Sequence, residues 1–180
     1  MNISLGEAAA ADYKHIRKLY KKAFPIEERA PFLMIKKNAM NGKAQMLVVK
    51  DKDEFIGFLY LVCHLDMAYL FFFAIEPDKW GKGYGSKVLG KLKEIYEGKR
   101  LFLAREQLDE RSNNYRERVK RHEFYLHNGF EDLPCRIKEA GVIYDVMGTG
   151  GKISAEEYDA LISSWTGKWI RKIVDMRIIE

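Results

Sequence analysis

Gly81, Gly83 and Gly85 alternate with Lys82 and Tyr84 in the run Trp80-Gly81-Lys82-Gly83-Tyr84-Gly85-Ser86. Glycine has no Cβ, so such a run accepts positive φ and lets a ligand come close to the backbone. The run follows an apolar segment, Met67–Ile75, and precedes a helical pattern over residues 86–97, with Val88, Leu89, Leu92, Ile95 and Tyr96 facing inward. Strand, glycine turn and helix in that order aim successive amide N–H groups and the positive end of a helix dipole at one spot. The chemistry that suits is pyrophosphate binding, with Lys82 adding a charge. A glycine-rich turn can equally be only a turn. Two nucleotide motifs are excluded. A P-loop closes on Gly-Lys-Ser/Thr, whereas Gly85-Ser86-Lys87 has another order and spacing. A dinucleotide fold places its glycines early in a long βαβ array, and strand-like segments already precede this run.

Other reactive side chains suggest less. His122 falls on the stripe Tyr115, Val119, His122, Leu126, which predicts a packed, hydrogen-bonded ring, and His127 is expected to be exposed. Cys63 and Cys135 fit no metal or redox spacing and read as free thiols of a reducing cytosol. No His/Cys/Asp set has ligand spacing, so no metal is expected. Arg116, Arg118, Lys120 and Arg121 read as a solvated helix face.

The elements that must position these residues belong to a chain of 180 residues, the size of one domain, 1–180. Its 47% hydrophobic and 32% charged residues are ordinary for a soluble globular protein. Residues 1–10 show neither the basic n-region nor the apolar h-region of a signal peptide, and the longest apolar run is too short for a bilayer, so a cytoplasmic protein without a membrane span is expected. A net charge of +5 favours an anionic partner: nucleic acid, a phosphorylated cofactor or a membrane surface.

A first strand is expected over residues 2–7 and a helix over 12–24, ended by Pro25, with Tyr13, Ile16, Leu19, Tyr20 and Ala23 on one face. A second helix is expected over 27–40. Strands follow over 45–50, 54–64 and 67–75, the last apolar on both faces and therefore central. After the glycine turn and its helix come a strand over 101–106 and a helix over 115–128, where Asn114 and Glu117 have capping-box spacing and Gly129 suits a left-handed stop. A strand pair is expected over 130–138 and 142–147, and Ser154 with Glu157 predicts a capped helix through Ile162. Residues 165–180 form a C-terminal extension in which Trp165, Trp169, Ile173 and Met176 fit helix and strand about equally. The order β-α-α-β-β-β-α-β-α-β-β indicates an α+β fold of mixed α/β layers, with helices flanking a largely antiparallel sheet.

Two segments resemble motifs of the GNAT superfamily of acyl-CoA-dependent N-acetyltransferases. Trp80-Gly81-Lys82-Gly83-Tyr84-Gly85 matches its pyrophosphate motif Gln/Arg-x-x-Gly-x-Gly/Ala, with Trp80 departing from the usual Gln or Arg. Phe124-Tyr125-Leu126-His127-Asn128-Gly129-Phe130 matches Phe-Tyr-x-x-x-Gly-Phe about forty residues on, after an intervening strand. The resemblance spans residues 44–147, and Phe24-Pro25, Glu28-Arg29 and Pro31-Phe32 resemble an N-terminal segment of bacterial members. It implies a six- or seven-stranded mixed sheet whose two central parallel strands splay around acyl-CoA. Phe73, Ala74 and Ile75 would serve pantetheine and thioester; Gly81, Lys82, Gly83, Tyr84, Gly85 and Ser86 would hold the pyrophosphate.

The implied reaction transfers acetyl from acetyl-CoA to a primary amine by direct attack. It needs a neutral amine, a polarised carbonyl and a protonated leaving thiolate. Tyr125 is the expected general acid; the other reading has it pack with Phe124 and Phe130. In several members a central-strand Glu takes the amine proton through water, but the corresponding position here looks like Tyr69. Glu106, at the end of the next strand, is therefore the first choice as base or acceptor-binding group, and Glu28 the second. The acceptor is expected to be a small-molecule or peptide amine and the protein a monomer or homodimer. Two other readings are a non-catalytic acyl-CoA-binding regulatory module and a nucleic-acid-binding domain using residues 111–121. The second lacks any reading motif, so no nucleic acid is expected.

Overall fold

The structure is a computed structural model that describes residues 1–139, 141–167 and 175–179. The chain runs β1 (Ile3–Glu7), α1 (Asp12–Ala23), α2 (Phe32–Met40), β2 (Gln45–Asp51), β3 (Glu54–His64), β4 (Met67–Ile75), α3 (Tyr84–Ile95), β5 (Arg100–Glu106), α4 (Tyr115–His127), β6 (Glu131–Glu139), β7 (Val142–Thr149), α5 (Ala155–Thr166) and β8 (Met176–Ile179). Hydrogen bonds order the strands β1-β2-β3-β4-β5-β7-β6-β8. β4 and β5 pair in parallel, from Met67↔Arg100 to Tyr69↔Phe102. The β1–β2, β2–β3, β5–β7, β6–β7 and β6–β8 pairs are antiparallel. The fold class is the expected one, with eight strands instead of six or seven. The added strand, β8, comes from the C-terminal segment.

The described residues form two compact units. The first comprises Met1–Cys63 and Leu70–Ile95. Its core takes Ile16, Leu19 and Tyr20 from α1, Ile35 from α2, Phe58 and Tyr60 from β3, Phe72 from β4, and Val88, Leu89 and Leu92 from α3. The α1 and α3 sets recur at three- and four-residue spacing, which puts each on one face. Tyr20 meets Phe72 edge-on at 5.0 Å, and its hydroxyl donates to the Ala30 carbonyl at 2.9 Å. The apolar ring thus anchors α1 while its polar end is satisfied.

The second unit comprises His64–Tyr69 and Tyr96–Glu180. Tyr69 stacks on Phe102 at 4.7 Å, and Tyr158, Leu161, Ile162 and Trp165 line the buried side of α5. Ser154 and Glu157 form the predicted reciprocal capping box of α5. The Arg100 guanidinium joins Glu157 and Asp66, donating to them at 2.7 and 2.8 Å and at 2.7 and 2.8 Å respectively.

Several local expectations are corrected. The second helix begins at Phe32 rather than 27; a one-turn 3₁₀ segment, Ile26–Glu28, precedes it. Pro31 accounts for the break, since it has no N–H to donate and disfavours helical φ/ψ at residue 30. Asn114 makes no capping bond; its amide is drawn to Glu106 at 3.1 Å and its carbonyl to Arg118 at 2.8 Å. Ile95 is exposed, as are Leu126 on the expected α4 stripe and Ala23 on the expected inward face of α1. α5 continues past Ile162 to Thr166, so Trp165 is helical while Met176 opens a strand. Trp169 and Ile173 lie outside the described residues.

Candidate active site

The two motifs fall in different units. In the first unit, β4 ends at Phe73, Ala74 and Ile75, with Ala74 buried and its neighbours half-buried. A Cβ built on Gly57 would strike the Ala74 carbonyl. Glycine is thus required at 57 for β3 to approach the end of β4 this closely. The Glu76 amide donates to the Ile56 carbonyl at 2.9 Å, fixing the exit of the strand.

The glycine turn then opens α3. Gly81 and Gly83 have φ of +72° and +78°, and nothing lies within 4 Å of a Cβ built on either. The helix begins at Tyr84, two residues earlier than expected, so Tyr84, Gly85 and Ser86 form its first turn, where amides lack intrahelical partners. Tyr84 donates its hydroxyl to Asp51 Oδ2 at 2.8 Å, tying the helix start to the end of β2. Lys82 Nζ donates to the Asp78 carbonyl at 2.8 Å, and Trp80 Nε1 to the Ile75 carbonyl at 2.8 Å. Open space before the left-handed glycines, a helix N-terminus and a nearby ammonium fit a phosphate-bearing ligand. Glu28, the second expected carboxylate, is half-buried on the 3₁₀ turn. Beside it Arg29 donates to the Phe24 and Lys21 carbonyls at 2.7 and 2.5 Å, fastening that turn to α1.

In the second unit, α4 carries Tyr125, only 9% exposed. Its ring meets Phe124 at 5.2 Å and Phe130 at 5.8 Å, so the packing that the other reading of Tyr125 expected is present. Burial pushes its phenol up to about 12, against a small opposing pull from Arg121. Tyr125 is therefore a neutral donor throughout the physiological range. Among the described residues its hydroxyl has no hydrogen-bond partner, and it is not among the fully enclosed polar atoms left unpaired. Packing thus fixes the ring and leaves the O–H accessible.

Glu106, at the end of β5, is fully engaged. Its Oε1 accepts from Asn114 Nδ2 at 3.1 Å and lies 3.2 Å from Arg118 Nη2; its Oε2 accepts from Arg121 Nη1 at 2.6 Å. Arg118 also donates to the Gln107 carbonyl at 2.9 Å. Asn114, Arg118 and Arg121 share one face of α4, so Glu106 clamps that helix to the end of β5. Two members of the basic run thus do structural work that a solvated face would not. The neighbouring Arg105, 7% exposed, reaches Asp132 at 3.0 Å and Asp145 at 3.2 Å. His122 bonds Asp132 at 2.8 Å, as its place on the helix predicted. Burial pushes the Asp132 carboxyl up, but bonds from His122 and Arg105 outweigh it and hold the group below the usual range.

The sequence pattern missed Glu139. Tyr69 and Tyr158 both donate to its Oε1 at 2.7 Å. A carboxylate therefore stands beside the Tyr69 position, but β6 supplies it, 70 residues away. No local signal marks such a partner. Among the described residues no group of three or more His, Cys, Asp or Glu gathers as metal ligands would, and no helix is long and apolar enough to cross a membrane.

The profile of the acetyltransferase (GNAT) domain matches residues 42–132. Solved structures agree in fold. A protein from Bacteroides thetaiotaomicron assigned to the GNAT family aligns over 93% of this chain and 98% of its own, with TM-score 0.72 and 21% identity. The aminoglycoside 6'-N-acetyltransferase of Enterococcus faecium aligns over 82% and 96%, with TM-score 0.62 and 15% identity. A Thermoplasma acidophilum N-acetyltransferase solved with coenzyme A aligns over 84% and 100%, with TM-score 0.57 and 17% identity. Among curated proteins none matches the chain in sequence.

Proposed function

The chain belongs to the GNAT family of acetyltransferases, and we propose that it transfers acetyl from acetyl-CoA to a primary amine by direct attack, with Tyr125 as general acid. Bound acetyl-CoA supplies the activated acyl group and departs as the thiol. In the transfer the amine nitrogen bonds the carbonyl carbon, the carbon–sulfur bond breaks, the amine loses a proton and the sulfur gains one.

The residues divide this work. Backbone groups of Phe73, Ala74 and Ile75 are assigned to the pantetheine and thioester. The turn from Gly81 through Lys82, Gly83, Tyr84 and Gly85 to Ser86 is assigned to the pyrophosphate. It is a small anion hole: open backbone, unpaired amides and a helix dipole. Tyr125 is assigned to the sulfur. The observation that carries this role is a phenol fixed by packing, held neutral, and with its O–H unengaged. A phenol near 12 is a weaker acid than a thiol of ~8.5. Its main effect is therefore hydrogen-bond donation to the charge developing on sulfur, and any proton it passes to the thiolate is made good by the one the amine releases.

Glu106 is assigned a different part from the one its position suggested. Its oxygens are held by Asn114, Arg118 and Arg121, so taking a proton or an ammonium would require this cluster to open. Its role is to fix α4, and with it Tyr125. Glu28 remains a second acceptor-binding assignment. The related Enterococcus faecium enzyme acts, by its name, on an aminoglycoside amine, which supports an amine as acceptor here.

The test incubates the protein with acetyl-CoA and a panel of aminoglycosides, polyamines, amino acids and peptides, reading free thiol release and acetyl addition by mass spectrometry. Acetylation of an amine with matching thiol release is expected. Tight acetyl-CoA binding without turnover on any member would favour a binding module instead.

A further inference from the structure

Trp80 stands where the family's pyrophosphate motif has Gln or Arg, and its surroundings make it more than a neutral replacement. The residue is 64% exposed, although an indole is among the costliest side chains to leave in water. Exposure here is not disorder of the ring. The indole N–H donates to the Ile75 carbonyl at 2.8 Å, and the Trp80 amide donates to the Pro77 carbonyl at 3.2 Å. Backbone and ring are both tied, so the ring is held edge-on to the end of β4. Among the described residues no aromatic ring or cation packs on its faces.

The tether determines where the ring lies. One end of the side chain is rooted next to Gly81, the first left-handed glycine of the turn; the other reaches back to Ile75. Trp80 therefore spans the stretch between the segment assigned to the pyrophosphate and the segment assigned to the thioester end. A ligand running from one to the other would pass the indole. The part of acetyl-CoA lying between those two groups is the pantoyl portion of pantetheine, with its gem-dimethyl carbon. That group is apolar, and it would find an apolar wall in the indole and none in Gln or Arg. Adenine would come after the pyrophosphate, outside that stretch.

We propose that Trp80 is a cofactor-contact residue whose tethered indole packs against the pantoyl arm of coenzyme A. This rests on acetyl-CoA being the substrate.

Binding itself provides the readout, without turnover. Affinities for coenzyme A, 4'-phosphopantetheine and adenosine 3',5'-diphosphate are measured by calorimetry for the wild type, Trp80→Ala and Trp80→Gln. Intrinsic fluorescence is followed in parallel, because the exposed Trp80 differs from the buried Trp165. In both variants coenzyme A and phosphopantetheine should bind about tenfold more weakly, the scale of losing a few tens of Å² of apolar contact. The diphosphate should bind as before. Phosphopantetheine should shift wild-type emission to shorter wavelength, and Trp80→Phe should remove most of that change. Equal affinities in wild type and variants overturn the proposal, and so does a loss confined to the diphosphate, which would place the ring under adenine. If the wild type binds no coenzyme A, the proposed function fails first; binding insensitive to Trp80 sinks this inference alone.

Discussion

At the scale of single residues, the balance between packing and chemistry is clearest at Tyr125. Phe124 and Phe130 hold its ring, as they would hold any core aromatic, but its hydroxyl is neither bonded nor enclosed. Tyr125→Phe removes only that hydroxyl. Coenzyme A affinity and melting temperature should stay near wild type, while kcat falls by roughly ten- to a thousandfold. Full kcat would return Tyr125 to pure packing. Its titration is a second check. An ordinary tyrosine ionises near ~10, whereas burial holds Tyr125 near about 12. The phenolate difference spectrum between wild type and Tyr125→Phe should therefore stay flat through pH 10 and rise only near pH 12. Because the folded value is raised, Tyr125 stabilises the fold fully below pH ~10, and that stabilisation is lost as pH climbs through its folded value. Glu106 separates three roles in one variant. If it anchors α4, Glu106→Gln should cost about 1 kcal/mol of stability, discounted for the exposure of Arg121, and lower kcat equally from pH 6 to 9. Recovery of kcat at high pH would mark a base, and a raised acceptor KM with unchanged kcat an acceptor-binding group.

At the scale of elements, the strand–turn–helix of the first unit carries the cofactor assignment. Gly83 is the position to change. Its φ of +78° strains any L-residue by ~1–2 kcal/mol, and a β-branched side chain would fill the open space before the turn. Gly83→Val should thus lower the apo melting temperature by a few degrees and abolish the rise that coenzyme A produces in wild type. A folded Gly83→Val protein that binds coenzyme A normally would remove the turn from the site. Elements were legible where local chemistry sets them. β4 was delimited by its apolar run, and α5 by Ser154 and Glu157, which form the expected box. The same spacing misled at Asn114 and Glu117, because Asn114 is claimed by Glu106 and Arg118. Capping residues compete for partners, and here a carboxylate from β5 and a guanidinium one turn along the same helix displace the backbone amide.

At the scale of the whole chain, charge pairing in both units predicts acid sensitivity. Bonds from Arg100 hold Asp66 and Glu157 below the usual carboxyl range. Burial pushes Asp12 up, but Lys50 and the Ala9 amide outweigh it and leave that carboxyl low as well. A depressed folded value means that the unfolded chain binds more protons. The stabilisation is therefore complete above pH ~4 and lost as pH falls through the folded values. Melting temperature should hold from pH 7 to about 5 and fall below about 4, and Arg100→Gln should flatten that acid limb. An acid limb identical in Arg100→Gln would exclude Arg100 as its source. Hydrophobic period, glycine spacing and turn residues were enough to fix the order of the first seven strands and the helix after the glycine turn, because each depends on neighbours a few positions apart; the two motifs came from the resemblance to the GNAT superfamily. Such patterns could not pair Glu139 with Tyr69 and Tyr158, engage Glu106 with Arg118 and Arg121, or add β8 beside β6. Those outcomes join residues far apart along the chain. Which charge meets which is set by the distances that packing imposes once the intervening loops have closed.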